Sequence, residues 1–154
     1  MMVEMQKLHY FKNFIEQEEN PIGKNLYVMV LAVEAYYEFV AEVLIPGTSR
    51  SMTQFKLLEE LRALKTISEQ EFVIMNETRK LKNELTHRLD YQIDVTYLFN
   101  FCNNCMVKEK IVPENKEDQN ELDNALLDGL LKSFKIVDMK LYSTVRKELE
   151  KVHA

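Results

Sequence analysis

The sequence predicts an all-α protein, folded as an up-and-down bundle of about six helices with a long C-terminal helix. Only three Gly and three Pro interrupt its 154 residues, which leaves long windows without helix breakers. Apolar residues in those windows recur at spacings of three and four, the period of an amphipathic helix. With 46% hydrophobic residues, the chain can bury one core, so we expect a single domain over residues 1–154.

The second helix is expected to form the centre of that core. A first helix over about residues 3–18 precedes the second. Asn20-Pro21 would start the second helix, with Asn as the N-cap and Pro at the first helical position. Pro46-Gly47 would end it. Its apolar residues recur at helical spacing and are Leu26, Met29, Val30, Val33, Tyr37, Val40 and Leu44.

The same helix carries three carboxylates at a spacing of four, Glu34, Glu38 and Glu42. A spacing of four keeps side chains on one face, so we expect a single water-facing stripe. Three carboxylates in the middle of this apolar window also argue against a membrane span. Because the N-terminus lacks the apolar core of a secretion signal, we expect a cytoplasmic protein without a membrane partner.

The next three helices have recognisable starts. The third follows Ser51, and four of its residues are expected to face inward, at Phe55, Leu58, Leu61 and Leu64. The fourth opens at Ser68-Glu-Gln-Glu71, a capping box in which hydroxyl and carboxylate accept from backbone N–H groups. A shorter fifth helix is expected between Asp94 and Lys108.

The last helix is predicted over about residues 117–152, with Gly129 as a point where it could divide. One apolar stripe follows its whole length, at Leu122, Leu126, Leu130, Phe134, Val137, Leu141, Val145 and Leu149. Unbroken, such a helix would be about 50 Å long. A helix longer than its bundle usually packs on a second chain, so we expect a homodimer.

The charge distribution limits the partners. The formal net charge is −5, which argues against extended binding to duplex DNA. Residues 79–88 nevertheless contain four cations and one anion. A local phosphate-binding site in this segment is therefore compatible with the sequence.

On the predicted fourth helix, a stripe of polar residues that could bind phosphate or transfer a proton lies opposite an apolar stripe. Arg79, Asn83 and His87 fall within about 80° of one another around the helix. Four residues form the apolar side, at Ile74, Thr78, Leu81 and Leu85. A cation, an amide and an imidazole can hold a phosphodiester and move a proton, although the same residues also suit an ordinary solvated face.

The run from Leu57 to Phe72, followed by Arg79-Lys-Leu-Lys-Asn-Glu-Leu-Thr-His87, resembles the HEPN superfamily. It is most similar to the mannitol-operon-repressor-like branch and to uncharacterised bacterial branches, whose hallmark is an Arg, usually followed by Asn, and a His a few residues later. The resemblance is carried by about residues 26–101, and it implies a HEPN-like core over about residues 22–108.

The resemblance implies an often dimeric bundle in which two motif helices face each other. His87 matches the family His, Asn83 the residue after the Arg, and Lys82 the Arg position itself, while Arg79 matches an additional basic residue of some members. Lys82 departs from the pattern. A guanidinium holds two phosphate oxygens in a plane and an ammonium offers one point charge, so Lys82 would stabilise a transition state less well.

Two functions follow as alternatives. One is a non-enzymatic regulatory or partner-binding module whose face of Arg79, Lys82, Asn83 and His87 meets RNA or a regulatory protein. The other is a metal-independent endoribonuclease or RNA-binding protein of toxin or defence type. In that case His87 would be the acid or base, Lys82 and Arg79 the phosphate cations and Asn83 the positioner. Neither function requires a cofactor or a metal.

A third alternative is a ferritin-like di-iron bundle. Glu84 with His87 and Glu150 with His153 both form the pattern Glu-x-x-His, and the carboxylates of the second helix could add a ligand. Such ligands point into a bundle core, whereas Glu84 and His87 are expected to point away from the apolar face. This alternative therefore ranks last.

The pair Cys102 and Cys105 suggests a metal or redox site only weakly. A zinc site needs four ligands, and a thioredoxin-like motif needs a preceding strand that an all-helical chain lacks. We expect two buried thiols on the fifth helix.

Overall fold

The computed structural model describes residues 3–16, 25–45, 52–87, 93–107, 111 and 113–152. These residues contain helices and no strand, which confirms the predicted all-α class and the long C-terminal helix. The helices are α1 (Val3–Glu16), α2 (Leu26–Leu44), α3 (Gln54–Ala63), α4 (Glu69–His87), α5 (Val95–Asn104) and α6 (Gln119–Val152).

Helix α2 is the centre of the core, as predicted. It packs against α1, α3, α4 and α6, and both Tyr36 and Tyr37 are fully buried beside Phe134 of α6, with ring centroids 5.4 and 6.3 Å away. Of its predicted core residues, Leu44 alone is half-buried rather than buried. In the described ranges, neither α2 nor any other helix is both long and apolar enough to cross a membrane.

Local side-chain caps start three of these helices. Asn25 caps α2, Thr53 caps α3 and Asp94 caps α5, each accepting from a backbone N–H in the first turn. The predicted start of α2 at Pro21 is therefore wrong, since the helix begins at Leu26. Asn20-Pro21, Pro46-Gly47 and Ser51, which the third helix was expected to follow, lie outside the described residues.

The capping box of α4 is confirmed. The backbone N–H of Ser68 donates to Glu71 Oε1 at 2.7 Å, and that of Glu71 donates to Ser68 Oγ at 3.1 Å. Just before it, α3 ends differently from the prediction. Leu64 is 66% exposed because it is the C-cap of α3, followed by Lys65 at a φ of 59°. The chain turns away from the core there, and Leu64 is not a core residue.

Helix α6 is continuous through Gly129. A Cβ at that position would lie 2.7 Å from Cys102 Sγ, so the glycine permits α5 and α6 to approach closely. All eight residues of the predicted apolar stripe, from Leu122 to Leu149, are buried within the chain. The apolar stripe of α6 is thus packed within the chain, and the homodimer expected from the length of α6 stays a prediction.

A buried polar network joins α6 to the first two helices. Tyr36 donates a hydrogen bond to Asp138 Oδ1 at 2.7 Å, and Lys12 pairs with Asp138 Oδ2. Asp138 is 6% exposed, so its charge is removed from water and depends on these two donors. The network fixes α1, α2 and α6 relative to one another.

A candidate binding cleft between helices α2, α3 and α4

Three of the four predicted site residues lie together, and the fourth does not. Arg79, Lys82 and Asn83 line one cleft of about 370 Å³. His87 is the last residue of α4, is exposed, and does not line this cleft. Helix angles placed His87 in one stripe with Arg79 and Asn83, whereas the cleft is lined by Arg79 and Asn83 together with Lys82.

The position of these residues follows from the packing of α4. Ile74, Thr78 and Leu81 are buried, as the apolar side of the predicted helix requires. The buried Thr78 hydroxyl donates to the backbone carbonyl of Ile74 at 2.9 Å, so a polar atom on this face is satisfied within the helix. Arg79 and Lys82 flank that buried face, and both therefore emerge where α4 meets its neighbours.

The other walls of the cleft come from α2 and from the start of α3. Helix α2 contributes Glu34 and Glu38, and the first turn of α3 contributes Thr53, Gln54 and Phe55. No sequence signal indicated that the α3 residues belong to the site. They are distant from α4 along the chain, and only the packing of both helices against α2 brings them near Arg79.

The prediction of a water-facing stripe of three carboxylates is wrong at Glu34. The side chain is 1% exposed, whereas Glu38 is half-buried and Glu42 exposed. Within the described residues, neither carboxylate oxygen of Glu34 has a hydrogen-bond partner. An unpartnered buried carboxylate is costly, so the neutral acid is favoured. Burial raises the pKa of Glu34 from 4.5 to about 8; nearby Glu38 acts in the same direction, and Lys82 and Arg79 oppose it.

The two cations of the cleft are only loosely paired. Arg79 donates through Nε to Asn76 Oδ1 at 3.0 Å, and its guanidinium carbon lies 5.2 Å from the centroid of the Phe55 ring. Lys82 Nζ lies 4.0 Å from Glu38 Oε1, beyond hydrogen-bond distance. Both cations therefore retain donors for a further acceptor.

A second lining residue also lacks a partner. The buried Nε2 of Gln54 has no hydrogen-bond acceptor among the described residues. Buried polar atoms are nearly always paired, so an unpaired carboxyl and an unpaired amide in one cleft are unusual. Strongly shifted titratable groups also concentrate in functional clefts. These observations mark the cleft as the candidate site.

Residues that could hold a metal do not assemble in the described part of the chain. No three His, Cys, Asp or Glu side chains come together there in a way that could hold a metal ion. Glu34 instead faces Arg79 and Lys82, and His153 of the second Glu-x-x-His pattern lies outside the described residues.

Both cysteines are free thiols: Cys105 is buried and Cys102 is half-buried. Burial raises the pKa of both thiols, which disfavours the reactive thiolate. The prediction of packed thiols is confirmed for Cys105 and holds in part for Cys102.

Comparison with protein-family models, with curated proteins and with solved structures finds no match. The HEPN-like resemblance thus stays a prediction that rests on the sequence. The geometry of the cleft stands independently of it.

Proposed function

We propose that this chain is a non-enzymatic regulatory module, HEPN-like in its helices, that binds a partner or effector through the cleft of α2, α3 and α4. The observation that supports it is the composition of the cleft. It gathers Arg79, Lys82 and Asn83 around the buried Glu34, whose carboxylate has no hydrogen-bond partner among the described residues, and leaves His87 outside. Such a site offers charge and hydrogen bonds for recognition.

The arrangement supports binding better than catalysis. Metal-independent RNA cleavage needs a base, an acid and a cation within reach of one phosphodiester. In a single chain, the imidazole of His87 is exposed at the end of α4, away from the cations of the cleft. A regulatory protein or an RNA remains the expected class of macromolecular partner, in a cytoplasmic setting.

The second candidate is the metal-independent ribonuclease. One observation favours it: the pKa of Glu34 is about 8, so this carboxyl could exchange a proton near neutral pH beside two cations. A homodimer that paired two α4 helices would also bring His87 of one copy toward Lys82 of the other. Light scattering of the purified protein tests that dimer, and a monomeric mass would remove this route to an active site.

A cleavage assay distinguishes the two functions. Wild type, His87→Ala and the double variant Arg79→Ala/Lys82→Ala are incubated with labelled structured RNAs in excess chelator. The double variant Lys135→Ala/Lys140→Ala, which removes two exposed cations of α6, is the charge-matched control. We expect no cleavage by any protein. Cyclic-phosphate ends produced by the wild type and lost in His87→Ala would overturn the non-enzymatic proposal.

The same proteins give the class of partner. RNA retained by the wild type and by the control, but not by Arg79→Ala/Lys82→Ala, would make RNA the partner of the cleft. If all three proteins fail to retain RNA, the regulatory-protein form of the proposal becomes the one to pursue. Circular dichroism of each variant confirms that the helices are intact.

A further inference from the structure

The polar side chains of the cleft include several hydrogen-bond donors that are available to a ligand. Arg79 and Lys82 are cations with further donors available, and the buried amide nitrogen of Gln54 has no acceptor in the part of the chain that the structure describes. Glu34, when neutral, adds an O–H group that also has no acceptor within the described residues. A ligand that satisfies all of these must bring acceptor atoms, and oxyanions bring several on one centre.

The charges of the cleft fix the charge of that ligand. With Glu34 neutral, the lining carries two positive charges, from Arg79 and Lys82, and one negative charge, from Glu38. One negative charge on the ligand neutralises the site. A dianion such as a phosphate monoester would leave an uncompensated charge in a partly desolvated cleft.

The surroundings favour a small ligand over a nucleic acid chain. Glu38 lies at the cleft, and Glu42, one turn further along α2, is exposed beside it. The phosphates that flank a bound phosphodiester would approach this acidic edge and be repelled. The Phe55 ring instead provides an apolar wall next to Arg79, which suits a carboxylate with a short hydrocarbon body.

We propose that the cleft of α2, α3 and α4 is an effector site for a small monocarboxylate, held by Arg79 and Lys82 and by a hydrogen bond from the protonated carboxyl of Glu34. The inference rests on the proposed function, since it names the ligand of the same cleft. No covalent step is involved. Binding takes up a proton whenever Glu34 is ionised in the free protein.

The site should therefore lose affinity as the pH rises. The charged groups around Glu34 are Glu38 on its own helix and Arg79 and Lys82 on α4. Helix α3 contributes neutral residues, and no charged group of α1 or α6 lines the cleft in the described ranges. Guanidinium and ammonium groups generally stay charged to pH 9, and carboxylate ligands stay ionised above pH 6. Glu34 is then the group whose ionisation changes the affinity.

The magnitude follows from the fraction of protein that can bind. With the pKa of Glu34 at about 8, most molecules carry the required proton at pH 7 and about one in ten does so at pH 9. The apparent Kd scales inversely with that fraction, so it should rise about tenfold between pH 7 and pH 9.

Isothermal titration calorimetry of the wild type with sodium propionate at pH 7 and pH 9 tests this. Propionamide is the neutral isostere, and inorganic phosphate and a short single-stranded RNA are the competing anions. We expect propionate to bind about tenfold more weakly at pH 9, and propionamide not to bind. Repeating the pH 9 titration in buffers of different ionisation enthalpy should show uptake of about 0.9 proton per site.

Matched variants assign the effect to the cleft. Glu34→Gln keeps a neutral donor at the same place, so it should bind propionate with nearly the same Kd at both pH values. Arg79→Ala/Lys82→Ala should lose at least tenfold in affinity, whereas Glu42→Gln on the exposed turn of α2 should match the wild type. Should Glu34→Gln fail to fold, proton uptake by the wild type still decides the question.

Several outcomes would overturn the inference. Propionate that does not bind at pH 7, or that binds equally at pH 9 without proton uptake, removes it. Tighter binding of phosphate or RNA than of propionate also overturns the assignment of a carboxylate as the ligand, while the cleft keeps its proposed role in binding. RNA cleavage that requires His87 refutes the proposed function itself, whichever way the propionate titration ends.

Discussion

Replacing Glu34 with Gln should stabilise the protein relative to wild type by an amount that grows with pH. In the wild type, the Glu34 side chain is 1% exposed, so it must be either neutral or a buried anion without a hydrogen-bond partner among the described residues. The folded state therefore holds the proton over a pH range in which the unfolded chain releases it. Stability is lost as the pH rises from the unfolded pKa toward the folded one. Glutamine does not titrate and avoids this loss.

The size of the effect follows from the two pKa values of Glu34. A pKa of about 8 in place of 4.5 is a change of about 3.5 units, or about 5 kcal/mol in total. Integrating the linkage relation, about 3.5 kcal/mol of this loss falls between pH 5 and pH 8. Total stabilities of single domains are about 5–15 kcal/mol, so the effect should be large enough to measure.

Urea unfolding of both proteins at several pH values between 5 and 9 measures the difference directly. The difference in unfolding free energy between Glu34→Gln and wild type should increase by about 3.5 kcal/mol from pH 5 to pH 8, whatever its value at pH 5. Glu42→Gln, a carboxyl removed from the exposed part of the same helix, should run parallel to the wild type. If Glu34→Gln also runs parallel to the wild type, Glu34 is ionised in the folded protein and the cleft lacks the neutral donor that the carboxylate site requires.

Three further substitutions test the packing. Tyr36→Phe removes the buried 2.7 Å hydrogen bond to Asp138. It should lower the free energy of unfolding in urea by about 2 kcal/mol, because hydrogen bonds to charged groups are worth about 1.5–3 kcal/mol. An unchanged free energy of unfolding would mean that the network contributes nothing to stability. Gly129→Ala should destabilise by about 1 kcal/mol, since its Cβ would lie 2.7 Å from Cys102 Sγ. In a Cys102→Ala background the same change should stabilise by about 1 kcal/mol through helix propensity, and equal effects in both backgrounds would contradict the steric explanation. Ser68→Ala breaks the capping box and should cost about 1 kcal/mol, seen as a lower Tm; an unaltered Tm would show that the cap is dispensable.

The long-range pattern of apolar residues was the most reliable sequence signal. The apolar stripe from Leu122 to Leu149 is buried along its whole length. An apolar stripe that long determines which face of the helix packs against the core. The capping box at Ser68 was equally predictable, since it joins residues three apart and depends on no tertiary contact.

The candidate site was only partly predictable. Periodicity showed that Glu34 and Glu42 share a face, but not that α3 and α4 cover one of them and leave the other exposed. Angles around α4 likewise placed His87 near Arg79, yet a cleft also has limits along the helix axis, and His87 lies beyond them at the helix end. Gln54 joins the cleft through the packing of α3 against α2 and α4, which no helical period encodes.

The burial of α2 against α6 has a consequence for synthesis on the ribosome. Tyr36 meets its hydrogen-bond acceptor 102 residues later in the chain, and both Tyr36 and Tyr37 lie against Phe134. At translation rates of about 5–20 residues per second, the time between synthesis of Tyr36 and of Asp138 is roughly 5–20 s. Throughout this interval the most apolar helix of the nascent chain has no partner for its α6-facing side. Completion of the core is therefore timed by elongation, and codons that slow the ribosome between α3 and α6 would prolong the period in which the chain is exposed to aggregation and to chaperones.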